Sequence, residues 1–341
     1  MSVAEETTNK ARLPGVPEQL PLVADDGTAW REFRKTLTPR YGVVWRDIGL
    51  IHAAIWSGLV GAWVADVKLP VVQSLWMVPF TAAWIGFWLH ALLNFGHESA
   101  HDNLASNRVW SDRLANWFIW PLFGQSVAQY RRVHWQHHLH LGDPHDTEVS
   151  YHHCLSPWFL LKTLTGLHLV TAFLRHLRAK GPASANSETD ETDQKHSVSE
   201  MWPIGRSAGI HAALVGGAAW AGCWTAALTW CVAVVIVFPF LTSIRQIVEH
   251  RRIDADCDRD FTREPHGPVN RLFGTGILAR SFGAAGFNRH LLHHWDPRIS
   301  YTRFDDMESF LLRTPMQPEL NCRRTTYWRV IRELLRSARR G

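Results

Sequence analysis

Three long stretches of the chain contain no charged residue, and they dominate its pattern of apolar and polar positions. Residues 48–65, 69–96 and 207–244 lack Asp, Glu, Lys and Arg altogether. A membrane-crossing helix needs about 20 mostly apolar residues. The third stretch is too long for one crossing and suits two helices with a turn near 222–229. The pattern therefore predicts an all-α integral membrane protein with four transmembrane helices in two hairpins, at 48–66, 71–95, 207–225 and 228–249.

The segments outside these three stretches contain charged residues. Residues 155–178 are apolar but interrupted by Lys162, which favours an amphipathic helix lying in the membrane plane and leaves a fifth crossing open. Residues 180–200 have the composition of a flexible polar loop. We therefore expect three parts: a flexible N-terminal arm without an apolar signal core at 1–40, a membrane domain at 41–310, and a basic tail at 311–341.

Basic residues predict the orientation. The hairpin turns carry only Lys68, whereas the N-terminal arm and the region after residue 244 are rich in Arg. Because positive loops stay in the cytoplasm, we expect a multi-pass protein with both termini and a helical cap over 97–206 and the C-terminal region on that side. In a prokaryote the membrane would be the inner membrane.

The net charge and the cysteine content indicate which binding partners and which redox compartment to expect. The net charge of +5 suits anionic lipid headgroups or an acidic electron donor, although the positive-inside rule alone accounts for it, and no nucleic-acid partner is expected. The five cysteines are scattered and form no CxxC motif, which favours a reducing compartment and argues against an iron–sulfur cluster.

The candidate chemistry lies in nine histidines. Eight of them form three clusters, GHESAHD, HWQHH and HLLHH, and the ninth ends the fourth predicted helix; they are His97, His101, His134, His137, His138, His250, His290, His293 and His294. Residues three and four apart share one face of a helix, so HxxHH directs three imidazoles to one side. One zinc ion needs only three or four protein ligands. Nine converging imidazoles therefore predict a site for two metal ions.

Ligating imidazoles usually donate their second N–H to a carboxylate or carbonyl group. Several acidic residues lie in or beside the clusters, among them Asp143 and Asp146. Supporting roles are predicted for four residues: Gln246, Glu249, Asp296 and Glu98. The alternative for each carboxylate is a solvated charge or an ion pair with a nearby arginine.

The three clusters, in this order on a two-hairpin layout, closely resemble the membrane fatty acid desaturase and hydroxylase superfamily over residues 40–310. The resemblance implies two iron ions held by the histidine boxes on the cytosolic side, with a further ligand from the last membrane helix, a role that His250 matches. It also implies O2 as co-substrate, a lipid or acyl substrate, and electrons from an external donor. The chain shows no HPGG haem motif and no rubredoxin domain, so we expect a separate donor such as ferredoxin with its reductase.

The resemblance implies a desaturase that inserts a double bond into an alkyl chain. Four alternatives remain, of which a bis-histidine haem protein would need histidines paired across helices rather than HxxHH runs. The segment HHLHLGDPHDTE is similar to sphingolipid desaturases and carotenoid ketolases, so a hydroxylase or ketolase acting on an alkyl, sphingoid or carotenoid substrate is the nearest one. A membrane zinc hydrolase would need fewer ligands. A metal transporter would place its ligands near the bilayer midplane, whereas these clusters follow the helix ends.

Overall fold

A computed structural model describes residues 22–167 and 191–339, with side chains described from residue 201 in the second range. Within these residues the chain is helical, and β-pairing is limited to two isolated bridges, Val23 with Ala29 and Leu272 with Arg324. The all-α prediction is confirmed for this part of the chain. Residues 168–178 of the predicted in-plane helix and 180–190 of the predicted loop lie outside the described residues.

The described residues contain fifteen α-helices. In chain order they are α1 (Trp30–Lys35), α2 (Tyr41–Lys68), α3 (Val71–Leu75), α4 (Val78–Ala100), α5 (Arg108–Phe118), α6 (Val127–His140), α7 (Pro157–Leu164), α8 (Glu191–Trp220), α9 (Trp224–Val232), α10 (Phe238–His250), α11 (Ile277–Phe282), α12 (His290–Trp295), α13 (Phe304–Leu311), α14 (Gln317–Cys322) and α15 (Tyr327–Ser337). A π turn at Ala233–Val237 joins α9 to α10, and 3₁₀ turns occupy Trp120–Leu122, Ser150–His152, Ala284–Arg289 and Tyr301–Arg303.

Within the part of the chain that the structure describes, three helical segments are long and apolar enough to cross a membrane: Tyr41–Lys68, Val71–Ala100 and Trp224–His250. They correspond to the first, second and fourth predicted crossings. The second extends into the first histidine cluster and ends at Ala100, one residue before His101. It is interrupted at Trp76 and Met77, just before Pro79, which has no N–H to donate to the preceding turn.

The third predicted crossing, 207–225, falls on α8, which is not among these three segments. Glycines, His211 and Trp220 make α8 less apolar than the others, and its N-terminal part carries Pro203 and Arg206. The four-crossing arrangement therefore stays a prediction. Residues 191–200, which we expected to be part of a flexible loop, belong to this helix.

The chain divides into two compact units. The first, here called the apolar-helix unit, comprises Tyr41–Arg131 and Leu155–Arg245. Glycines allow close helix packing within it, since a Cβ atom built on Gly86 would lie 2.5 Å from Val237. A partly buried polar link joins the end of α2 to the start of α9, where the Asp66 carboxylate accepts the backbone N–H groups of Thr225 and Ala226, both at 3.0 Å. These two amides lie at the start of α9, where a helix leaves its N–H groups without partners of its own.

The second unit, here called the histidine unit, comprises Met1–Arg40, Arg132–Cys154 and Gln246–Gly341. Its core is apolar and includes Leu22, Leu37, Leu292 and Phe310. We expected residues 1–40 to form a flexible arm, but residues 22–40 pack onto this core, and the Phe33 and Phe310 rings stack at 4.4 Å. Residues 1–21 lie outside the described residues.

We predict that Gly86→Ala destabilises the protein by about 1–3 kcal/mol, because the added methyl group would overlap Val237. Gly61→Ala is the matched control, since nothing lies within 4 Å of a Cβ atom there and alanine favours a helix. The melting temperature of each variant, reconstituted in nanodiscs of one lipid composition, measures the two effects. Equal melting temperatures for the two variants would contradict the proposed close contact.

Candidate metal centre

Seven of the nine predicted ligands lie in the histidine unit. The second histidine cluster lies on α6, His250 is the last residue of α10, and the third cluster forms most of α12. Each of the seven is buried, with at most 2% of its surface exposed. Helical spacing explains why each cluster presents its imidazoles on one side, as expected from the HxxHH pattern.

Four of these imidazoles form one group: His137, His250, His290 and His294. Each offers a ring nitrogen, and these nitrogens lie within 4.8 Å of one another. The Nε2 atom of His290 is 3.1 Å from the Nε2 atom of His250 and 3.1 Å from that of His294. The group therefore joins three segments that are far apart in the sequence.

The other three imidazoles form a second group in the same unit. His138 Nε2 lies 2.8 Å from His134 Nε2 and 3.0 Å from His293 Nε2. The two groups adjoin, since the ring centroids of His138 and His294 are 4.4 Å apart. A pair of neighbouring metal ions would fit this arrangement better than one ion would.

The distances between the nitrogens suit metal coordination. Metal–nitrogen bonds of about 2.0–2.1 Å at near-octahedral or tetrahedral angles place two ligand atoms roughly 2.9–3.4 Å apart. The closest Nε2 pairs here are separated by 2.8–3.1 Å. A neutral imidazole has only one N–H, so several Nε2 atoms converging on one point would bring lone pairs together. A bound cation removes that conflict, and the donor set therefore fits metal ions.

The Asp146 carboxylate binds the His137 ring through the nitrogen that does not face the group around His290. The Nδ1 atom of His137 lies 2.9 Å from Asp146 Oδ1, and both residues are buried. Tyr151 donates its hydroxyl to the same carboxylate and accepts the backbone N–H of Gly142 at 2.8 Å. Burial, followed by the charge of Asp146, raises the pKa of Tyr151 and keeps its hydroxyl protonated.

These contacts determine which nitrogen can bind a metal. The Asp146 carboxylate accepts from His137 Nδ1, so the Nε2 atom of a neutral ring keeps its lone pair. The same holds for His250, whose Nδ1 atom donates to the carbonyl of Val269 at 2.9 Å. In both residues the nitrogen facing the group is therefore the metal-binding one.

Arg271 caps the C-terminal end of α10. The Arg271 guanidinium donates to the carbonyls of Val248 at 2.8 Å, Glu249 at 3.0 Å and Arg251 at 2.6 Å. Carbonyls at a helix C-terminus have no partner within the helix and favour a cation. Because these carbonyls flank His250, Arg271 helps to fix the position of that imidazole.

The first cluster lies in the apolar-helix unit. His97 is on the last turn of α4 and His101 follows its end, with ring centroids 5.3 Å apart. Arg131 donates to the carbonyls of Ser99 at 3.1 Å and Ala100 at 2.9 Å, so this helix end also has an arginine cap. Burial, with a smaller contribution from the charge of Arg131, lowers the pKa of His101 to about 3 and keeps the ring neutral. The assignment of this pair to the metal site stays a prediction.

The four predicted supporting residues occupy different surroundings. Glu98 is buried and accepts from Asn103 Nδ2 at 3.2 Å. Glu249 is also buried, and Gln246 is partly buried. Asp296 instead forms a bidentate ion pair with Arg34, with Arg34 Nη2 2.9 Å from Asp296 Oδ1, and thereby holds the N-terminal segment.

A disulfide joins Cys154 to Cys257 within the histidine unit. It was not expected, because the cysteine pattern favours a reducing compartment and the two residues are 103 positions apart. Arg251 reinforces the same connection by donating to the carbonyl of His152 at 3.0 Å and to that of Asp256 at 3.2 Å. The loop that carries Asp146 and Tyr151 is thus tied to the segment that follows His250.

The profile of the family described as "Fatty acid desaturase" matches residues 74–325, which is most of the chain. The matched region contains all three histidine clusters and His250. No curated protein matches the chain.

We predict that Asp146→Asn lowers metal affinity by about 10–100-fold, because an amide supports the His137 imidazole less strongly than a carboxylate does. Asp143→Asn is the matched control on the same loop, since Asp143 is exposed and pairs with the exposed His145. Competition with a chelator measures the affinity of each purified variant. Equal metal affinities for the two variants would contradict the supporting role of Asp146.

Proposed function

This chain belongs to the fatty acid desaturase family, and from that premise we propose that it is an O2-dependent diiron enzyme that desaturates an alkyl chain of an acyl lipid. The observation that carries the proposal is the pair of adjoining groups of buried imidazoles in the histidine unit. Imidazole suits iron among other transition metals. Two groups of ligands are more than a single zinc ion requires, which disfavours a zinc hydrolase.

The proposed ligand set contains all nine histidines of the sequence prediction. The group around His290 supplies four nitrogens for one ion, and the group around His138 supplies three for the other. His97 and His101 would add the remaining ligands of the second ion. This last assignment rests on the sequence and the family.

When bound, the two iron ions would supply the oxidising chemistry that O2 and external electrons drive at an unactivated C–H bond. The residues of the chain have other tasks. Asp146 and the Val269 carbonyl hold His137 and His250 in the tautomer that leaves Nε2 able to bind. The low exposure of the imidazoles excludes water from the site, which protects a reactive centre from side reactions.

Three apolar helical segments and membership of the family support a membrane protein. We further propose that 207–225 forms the fourth crossing and that the histidine unit faces the cytoplasm. Electrons would then come from a soluble donor such as ferredoxin with its reductase. The arginine-rich C-terminal sequence supports this orientation through the positive-inside rule.

The alternative outcome is oxygen insertion by a hydroxylase or ketolase acting on an alkyl, sphingoid or carotenoid substrate. Desaturation and hydroxylation share the first hydrogen abstraction and differ in whether a second hydrogen is removed. The similarity of HHLHLGDPHDTE to sphingolipid desaturases and carotenoid ketolases is the observation that favours this alternative.

Mass spectrometry of lipids from cells that express the protein tests the reaction. We expect a product that lacks two hydrogens of its parent lipid, and we expect it to disappear in the His137→Ala, His293→Ala double variant. His145→Ala is the control, because this histidine side chain is 82% exposed and should leave the product unchanged.

The same profile distinguishes the other reactions. A gain of one oxygen would identify a hydroxylase, and a gain of one oxygen with loss of two hydrogens would identify a ketolase. A product that persists in the double variant would contradict the assignment of the histidine groups to catalysis.

A further inference from the structure

A basic pocket lies on the histidine unit, apart from the imidazole groups. It has a volume of about 220 Å³, and its walls are formed by residues 269–271, 322–325, 329 and 333 together with Ile253. The walls are joined by backbone hydrogen bonds, since Leu272 N–H donates to the Arg323 carbonyl at 3.1 Å and Thr325 N–H donates to the Leu272 carbonyl at 2.8 Å. The pocket is therefore built from two ordered segments and has room for a small ion.

Four arginine residues and one glutamate line this pocket: Arg271, Arg323, Arg324, Arg329 and Glu333. Arg323 pairs with Glu319 and Arg324 with Glu308, at 2.8 and 2.6 Å. Each of these pairs occupies only part of a guanidinium group, which has five N–H donors. Burial lowers the pKa of Arg271 to about 10, so this group remains charged at neutral pH.

Arg329 has the most donors to offer. Its Nε atom binds Glu333 at 3.0 Å, and among the described residues its two terminal amino groups have no hydrogen-bond partner. The guanidinium fork matches the oxygen geometry of phosphate and carboxylate groups. The pocket thus presents donors that the surrounding protein does not fully use.

Asn270 gives a second, independent sign of a ligand. Its side chain is fully buried and lines the pocket. Neither Nδ2 nor Oδ1 has a hydrogen-bond partner among the described residues. Buried side-chain amides without a partner are rare, so an unpaired amide in the wall of a basic pocket indicates a place for an acceptor.

The pocket wall also supports the metal centre. Val269, whose carbonyl accepts the N–H of His250, and Arg271, which caps the helix ending at His250, flank Asn270 in the chain. A ligand that contacts Asn270 therefore lies against the segment that holds His250 in place.

We propose that this pocket binds a phosphate-type oxyanion. Arg329 and the amide of Asn270 donate to its oxygens, and Arg271, Arg323 and Arg324 supply further positive charge. Several guanidinium groups around a small cavity suit a compact anion with several acceptor oxygens. The phosphate belongs either to a lipid headgroup or to a soluble phosphate ester.

Calorimetric titration of the metal-loaded full chain with inorganic phosphate, in phosphatidylcholine nanodiscs at fixed ionic strength, tests the proposal. We expect saturable binding that Arg329→Gln weakens about tenfold or more. Arg332→Gln is the matched control, because this residue lies on the same helix, is exposed and does not line the pocket. It should change the affinity less than twofold. Circular dichroism confirms that both variants are folded.

Nanodiscs that contain phosphatidic acid identify the source of the phosphate. If the headgroup occupies the pocket, they weaken phosphate binding to the unaltered protein and not to Arg329→Gln. Unchanged binding identifies a soluble phosphate ester instead, and either result supports the site. Absence of saturable phosphate binding, or equal losses in Arg329→Gln and Arg332→Gln, would overturn the proposal. The readout does not depend on lipid oxidation, so it is independent of the proposed function.

Discussion

The structure depends on one electrostatic constraint, the convergence of buried imidazole nitrogens. In the histidine unit, Nε2 atoms approach one another to within 2.8–3.1 Å, with almost no exposure to water. Neutral rings cannot all donate to one another, and burial disfavours their protonation. Bound metal ions would reconcile burial with convergence, and folding of this unit would then be coupled to metal binding.

The remaining polar groups hold these rings in place. Asp146 and the Val269 carbonyl fix the tautomers of His137 and His250. Arg131 and Arg271 act at helix ends, where they bind backbone carbonyls next to a histidine. Each of these guanidinium groups thus satisfies carbonyls that a helix C-terminus leaves without partners and also positions a predicted ligand.

Sequence periodicity predicted the parts that depend on local geometry. The HxxHH spacing places imidazoles on one helix face, and the first two uncharged stretches and the second half of the third correspond to long apolar helices. Contacts that depend on loops were harder to predict. Asp146 binds His137 across a turn, whereas Asp296, directly beside the third cluster, faces Arg34. Neighbourhood in the sequence is a weak guide to the direction of a side chain once a helix has ended.

Elemental analysis of the purified protein tests the central claim most directly. The account predicts two iron ions per chain, and loss of one of them in each of the variants His290→Ala and His134→Ala, which alter different groups. The exposed His145 provides a control substitution that should keep both ions. A single metal ion per chain, or a metal content that neither variant changes, would contradict the two-metal centre.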